Sequence, residues 1–316
     1  MRLTSSTSAS TATPAAAAVL ALGLALAGCG GSSSTSGSSS SPSASAGGSA
    51  SGAASGAASG GGALFALLPK SIQSSKTVRA ATDGTYPPNE FTAADGKTLQ
   101  GFDIDLANAV GKKLGVTIHF DNAKFDSIIT GITAGRYDLA FSSFTDNKER
   151  QKKVDFVDYF NAGTSILVKK GNPEHISKLE DLCGKKVALE SGTVQVKIAQ
   201  GAKCPGGGSI NVTQLPDDAT ARLQVKTGRA VADMNDFPVA AYTAKTSGGG
   251  NDFEVVGTQY ESAPYGVAVS KDLTGLRDAV KQALQELVTD GSYGQILSKY
   301  AINQGALKTI TVNAGS

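Results

Sequence analysis

From Thr77 onward, short β-branched runs alternate with segments whose apolar residues recur at helical spacing. Thr77-Val78-Arg79-Ala80-Ala81 reads as a strand that ends at Asp83-Gly84. Phe102, Leu106, Ala109, Val110 and Leu114 fall on one face of a helix that Gly115 terminates. Val116 to Phe120 is β-branched and aromatic and reads as a strand. Asp126 to Ala134 sets Ile128, Ile129 and Ile132 on one helical face, and Tyr137 to Phe141 returns to strand. This β-α-β-α-β order predicts an α/β unit with a largely parallel sheet.

A second round follows. Ser165–Lys169 and Lys185–Leu189 read as strands, and a helix starts at Thr193 after Ser191-Gly192. Asp218 to Thr227 is helix-like, Ala230 to Met234 a strand, and Val255-Val256 and Tyr265–Val269 two more. Leu273, Leu276, Val280, Leu284 and Leu287 form the stripe of a long amphipathic helix, broken at Asp290-Gly291 before a short one carrying Ile296, Leu297 and Tyr300. Two α/β units in one chain predict two lobes with a ligand cleft between them.

Ahead of Thr77 the composition changes. Residues 15–27 carry no charge and are mostly Ala, Leu and Val, too few to span a bilayer but suited to the apolar core of a signal peptide. Leu26-Ala27-Gly28-Cys29 follows and resembles the lipobox of bacterial lipoproteins, which implies cleavage after residue 28 and a lipid on Cys29. Residues 29–63 are nearly all Gly, Ser and Ala and are expected to form a flexible tether with a span of roughly 30–35 Å. The rest of the chain is then expected outside the cytoplasm, lipid-anchored to the outer face of the cell membrane.

The chain has three Cys. With Cys29 assigned to lipid, Cys183 and Cys204 remain and are expected to pair in that compartment, two free buried thiols being the alternative. A net charge of +2 with mixed signs gives no case for nucleic acid as a partner.

Several motifs in order resemble the family 3 extracellular solute-binding proteins, receptors of polar amino-acid ABC importers. They include Asp83-Gly84-Thr85-Tyr86-Pro87-Pro88, Gly101-Phe102-Asp103-Ile104-Asp105-Leu106, Tyr137 to Thr145, Glu149-Arg150 and Val154-Asp155-Phe156. The likeness continues through Leu179 to Leu182, Gly184 to Val187, Ser191-Gly192-Thr193, Asp236 to Tyr242, Pro264 to Val269 and Asp290 to Tyr293. The resemblance implies a two-lobed type II periplasmic-binding-protein-like fold with two hinge strands. Lobe 1 would be residues 76–160 plus 262–305, lobe 2 residues 161–261, and the hinges would lie near Tyr159–Gly163 and Tyr260–Pro264.

It also implies site residues. Arg150 matches the Arg that takes the ligand carboxylate, where a guanidinium fork fits bidentately; the basic run Lys148–Lys153 alone would suggest only a solvated side chain. Asp236 matches the Asp that takes the ammonium, although Asp-X-Pro is also a turn cap. This chain departs from the family pattern just before it, with Val231 in place of an Asp and Asp233 inside the strand. Ser143 and Thr145, with Ser142 beside them, match carboxylate-side positions. Thr193 stands at a helix start whose free amides favour an anion, although Ser-Gly-Thr is also an ordinary turn and cap signal, and Gln195 matches a position used in some members. Tyr86 and Phe125 match the aromatic pair that sandwiches the ligand side chain. Asp83 and Glu190 match its far end, and two carboxylates there favour a basic amino acid.

The expected partners are a free amino acid, an ABC permease and, through the lipid, the membrane; the receptor itself is expected to be a monomer. No cofactor or metal is expected, since no His/Cys/Glu cluster has ligand spacing and no phosphate-binding Gly loop occurs. Catalysis is not expected either. A sensory binding module, or a small-acid dehydratase on the same fold, is the alternative.

Overall fold

A computed structural model describes residues 60–316 of the protein. The signal segment, Cys29 and most of the tether lie outside the described residues. The chain enters through two short helices, α1 (Gly60–Leu67) and α2 (Lys70–Ser75). Their residues Leu64, Leu68 and Ile72 are buried in the largest hydrophobic cluster.

β1 (Thr77–Thr82) leads into a small antiparallel sheet of β2 (Thr85–Tyr86), β3 (Glu90–Thr92) and β4 (Leu99–Gln100). α3 (Phe102–Leu114) follows with acids in its first turn, lysines in its last and Gly115 as a left-handed C-cap at φ 69°. β5 (Thr117–Asn122), α4 (Phe125–Thr133), β6 (Leu139–Ala140) and the one-turn α5 (Lys148–Gln151) complete the first pass.

β7 (Val154–Lys169) is one continuous strand. The sequence pattern predicts only its last five residues, because Asp155, Asp158, Asn161 and Gly163 interrupt the apolar run. Asp155 is paired with Lys271 and Arg277, and Asp158 accepts from Thr311, so the strand tolerates these acids. The second lobe adds β8 (Lys186–Glu190), α6 (Val194–Gln200), β9 (Asn211–Leu215), α7 (Asp218–Lys226), β10 (Ala232–Asp236) and α8 (Phe237–Thr246). β11 (Phe253–Ser270) then returns as a single strand where two were expected, followed by α9 (Thr274–Thr289), α10 (Ser292–Lys299) and β12 (Ala306–Val312).

The sheet order is β5-β1-β6-β11-β7-β10-β8-β9, with β12 also on β7. The pairs of β1 with β5 and β6, and of β8 with β9 and β10, are parallel. β11 is antiparallel to β6 and β7, and β10 to β7. The expected largely parallel sheet is therefore a mixed one: the antiparallel β7–β11 ribbon runs through both lobes, with β11 antiparallel to β6 in one and β7 antiparallel to β10 in the other.

Two hydrophobic clusters lie on the faces of the sheet at the β1–β6 end and two at the β8–β10 end, which makes the molecule two-lobed. Register shifts in the ribbon fall between Val256 and Tyr260, Tyr260 and Ala263, and Tyr265 and Gly266. A disulfide joins Cys183 and Cys204, both packed on the Ile166–Val187 cluster of the second lobe. Among the described residues, no helix is long and apolar enough to cross a membrane.

Candidate functional site

Arg150 sits on α5, whose N-cap Asn147 accepts from the Arg150 amide at 2.9 Å. Its guanidinium donates from Nη1 to the Thr145 carbonyl at 2.8 Å and from Nη2 to the Gly192 carbonyl of the second lobe at 2.9 Å. It also lies 5.3 and 5.1 Å from the ring centres of Phe125 and Phe144, which stack on each other at 4.3 Å. Loss of water around the head lowers its pKa to about 10, which leaves it protonated at neutral pH.

Asp236 ends β10 on the opposite lobe, and its side chain makes no capping hydrogen bond. Gln195 Nε2 donates to it at 2.7 Å and to Thr164 Oγ1 at 3.0 Å. Burial raises its carboxyl to about 6, against the pull of its hydrogen-bond donors and Arg150. Arg150 and Asp236 line one narrow cleft between the lobes, together with Tyr86, Phe125, Ser142, Ser143, Thr145, Thr193 and Gln195. Nine of the eleven residues read from the sequence thus share this cavity.

Asp83 and Glu190 lie just behind its wall. The Tyr86 hydroxyl donates to Glu190 Oε2 across the cleft, while Glu190 Oε1 is buried with no partner among the described residues. Burial first, then the nearby Asp83, pushes Glu190 up to about 10, so it is a neutral acid at pH 7. Asp83 is committed locally, accepting from Thr85 Oγ1 at 2.8 Å and the Phe125 amide at 3.0 Å.

Some side chains are spent on support. Ser143, at φ 46°, donates through Oγ to Glu90 Oε2 at 3.0 Å and accepts from Asn89 at 2.9 Å, while its amide donates to Asp103. Ser142 Oγ accepts from the Asp83 amide. Thr193 is the N-cap residue of α6, and its hydroxyl donates to the Glu190 carbonyl. Phe125 faces Tyr86 at 6.2 Å with planes tilted 43°, yet its closest aromatic partner is Phe144. Sequence reasoning missed Phe144, although it stands between Ser143 and Thr145 in a motif already singled out. It also missed the backbone role of Gly192, which lies in the Ser191-Gly192-Thr193 motif, and the hydroxyl of Thr164, which no residue pattern signals. His119 and His175 are both exposed, and neither lines the cleft.

The sequence matches the bacterial extracellular solute-binding proteins, family 3, over residues 78–303. The chain belongs to that family. The arginine-binding protein ArgT of Corynebacterium glutamicum is 32% identical over 256 residues, covering 78% of this chain and 82% of its own length. Among solved structures, an ancestral arginine-binding protein bound to glutamine aligns with a TM-score of 0.66 and 38% identity, over 72% of this chain and 98% of that one. An ancestral amino-acid-binding protein, a precursor of cyclohexadienyl dehydratase, aligns with a TM-score of 0.65 and 36% identity, over 74% and 99%. Family members are extracellular solute-binding proteins, and these relatives are binding proteins.

Proposed function

We propose that this chain is the substrate-binding component of an ABC importer that closes its lobes over a free, polar amino acid. The observation that carries the reading is the placement of Arg150 and Asp236, opposite charges contributed by opposite lobes to one cavity. A zwitterion satisfies both only when the lobes meet, so binding and closure are one event. Arg150 takes the carboxylate and Asp236 the ammonium. Tyr86, Phe125, Ser142, Ser143, Thr145, Thr193 and Gln195 shape and polarise the rest. Asp83 and Glu190 stand at the side-chain end and favour a basic ligand, with an amide side chain next.

The receptor is a monomer held outside the cytoplasm by a lipid on Cys29, tethered through the Gly/Ser/Ala stretch and read by a membrane permease. It binds without turnover. One observation favours a second reading: Glu190 is a neutral carboxylic acid beside the cleft, as acid-assisted dehydration of a cyclic acid would need. Calorimetry with arginine, lysine, glutamine and a panel of cyclic carboxylic acids, followed by NMR of the mixtures, separates the two. Stoichiometric binding of an amino acid with no product supports the receptor; turnover of the cyclic acid supports the enzyme.

A further inference from the structure

β12 and the residues after it lie beyond the family-matched span of 78–303, yet they reach the loop that carries Arg150. The Gly315 amide donates to Asp146 Oδ2 at 2.7 Å, and Gln151 Nε2 bridges the Gly315 carbonyl at 3.1 Å and Asp146 Oδ1 at 2.8 Å. Asp146 is the neighbour of Thr145, whose carbonyl holds the Arg150 guanidinium, and Gln151 is the neighbour of Arg150 itself. The tail is in turn fixed to β7. The Phe156 amide donates to Asn313 Oδ1 at 2.7 Å, the Asn313 amide to the Phe156 carbonyl at 3.0 Å, and the Ala314 amide to Asp158 Oδ2 at 3.1 Å. Gly315 is buried so closely on this loop that a Cβ would lie 2.1 Å from the Asp146 carbonyl oxygen.

We infer that residues 313–315 form a clamp that positions Arg150 for the ligand carboxylate, the Gly315 amide holding Asp146 and the Gly315 carbonyl holding Gln151. A one-turn helix has too few internal hydrogen bonds to hold a guanidinium in place by itself. The clamp supplies what α5 lacks, gripping the loop on both sides of the Arg150–Thr145 contact. The inference rests on Arg150 being the carboxylate ligand, and its first test does not need the ligand.

That test is hydrogen exchange by mass spectrometry on the ligand-free full chain, comparing the wild type with Gly315→Ala and Gln151→Ala. The clamp predicts that peptides spanning 144–153 exchange at least about tenfold faster in both variants while those of β1 and β8 are unchanged. If 144–153 keeps its wild-type protection in Gln151→Ala, or while 306–316 loosens in Gly315→Ala, the inference is wrong. A Gly315→Ala chain that fails to fold leaves Gln151→Ala to decide. The second arm is a calorimetric cycle with arginine and glutamine. Gly315→Ala is expected to weaken the binding ligand about tenfold in the wild type and not at all in an Arg150→Ala background. Equal losses in both backgrounds would make the tail merely structural. Absence of binding by the wild type would contradict the amino-acid reading, and the exchange arm would still decide the clamp.

Discussion

Arg150 Nη2 donates to the carbonyl of Gly192 at 2.9 Å, so the cation proposed to take the ligand is bonded to the backbone of the opposite lobe. Gly192 has φ 81°, and a Cβ there would lie 2.9 Å from Asp126 Cβ and 3.0 Å from its Cα, across the cleft. Only glycine lets the lobes come this near. Gly192→Ala is expected to weaken ligand binding about tenfold or more through left-handed strain and a blocked closure. Small-angle scattering with saturating ligand should then show the variant more open than the wild type. An equally compact variant with unchanged affinity would remove the closure argument.

Asp236 must be ionised to hold an ammonium, and in the free cavity its carboxyl sits at about 6. Bound ammonium lowers that value, so protons and ligand compete. Affinity is expected to level off above about pH 7 and to fall as pH drops through 6, approaching a tenfold loss per unit. Calorimetry between pH 4.5 and 8 checks this. Asp236→Asn should bind more weakly and lose the dependence.

Glu190 gives a different signature. Its folded value of about 10 lies above its ordinary 4.5, so its contribution to stability is fully present below about pH 4.5 and is lost as pH rises towards 10. Glu190→Gln removes that loss. Its melting temperature is expected to exceed the wild type's by several degrees at pH 8 and by little at pH 4 in the absence of ligand. The same variant should weaken arginine more than glutamine, since a guanidinium bound beside Glu190 would draw off its proton and pair with the carboxylate, which Gln cannot do. Equal weakening of both would remove the case for a basic ligand.

Much of this was readable from the chain because local physics decided it. The helix Phe102–Leu114 has its boundaries written in apolar spacing and Gly115, and β8 and α9 follow their patterns to within a residue or two. β7 was not readable over Val154–Thr164, because its acids are balanced by Lys271, Arg277 and Thr311 from distant segments. α5 is too short to have a periodicity. In the site, charged residues in motifs were legible as a set. Their commitments were not: the Ser143 hydroxyl belongs to Glu90 and Asn89, and Phe125 stacks on Phe144 beneath the guanidinium. Those are tertiary facts with no local trace.

In the proposed receptor a free amino acid binds with its carboxylate on Arg150. The most direct test is thermal unfolding of the wild type and Arg150→Ala against a panel of free amino acids. At a hundredfold excess over its dissociation constant, a ligand stabilises the native state by about 2.7 kcal/mol, a shift of several degrees. That shift is expected for arginine or another polar amino acid in the wild type, and its loss is expected in Arg150→Ala. No shift with any amino acid, or the same shift in both proteins, would contradict it.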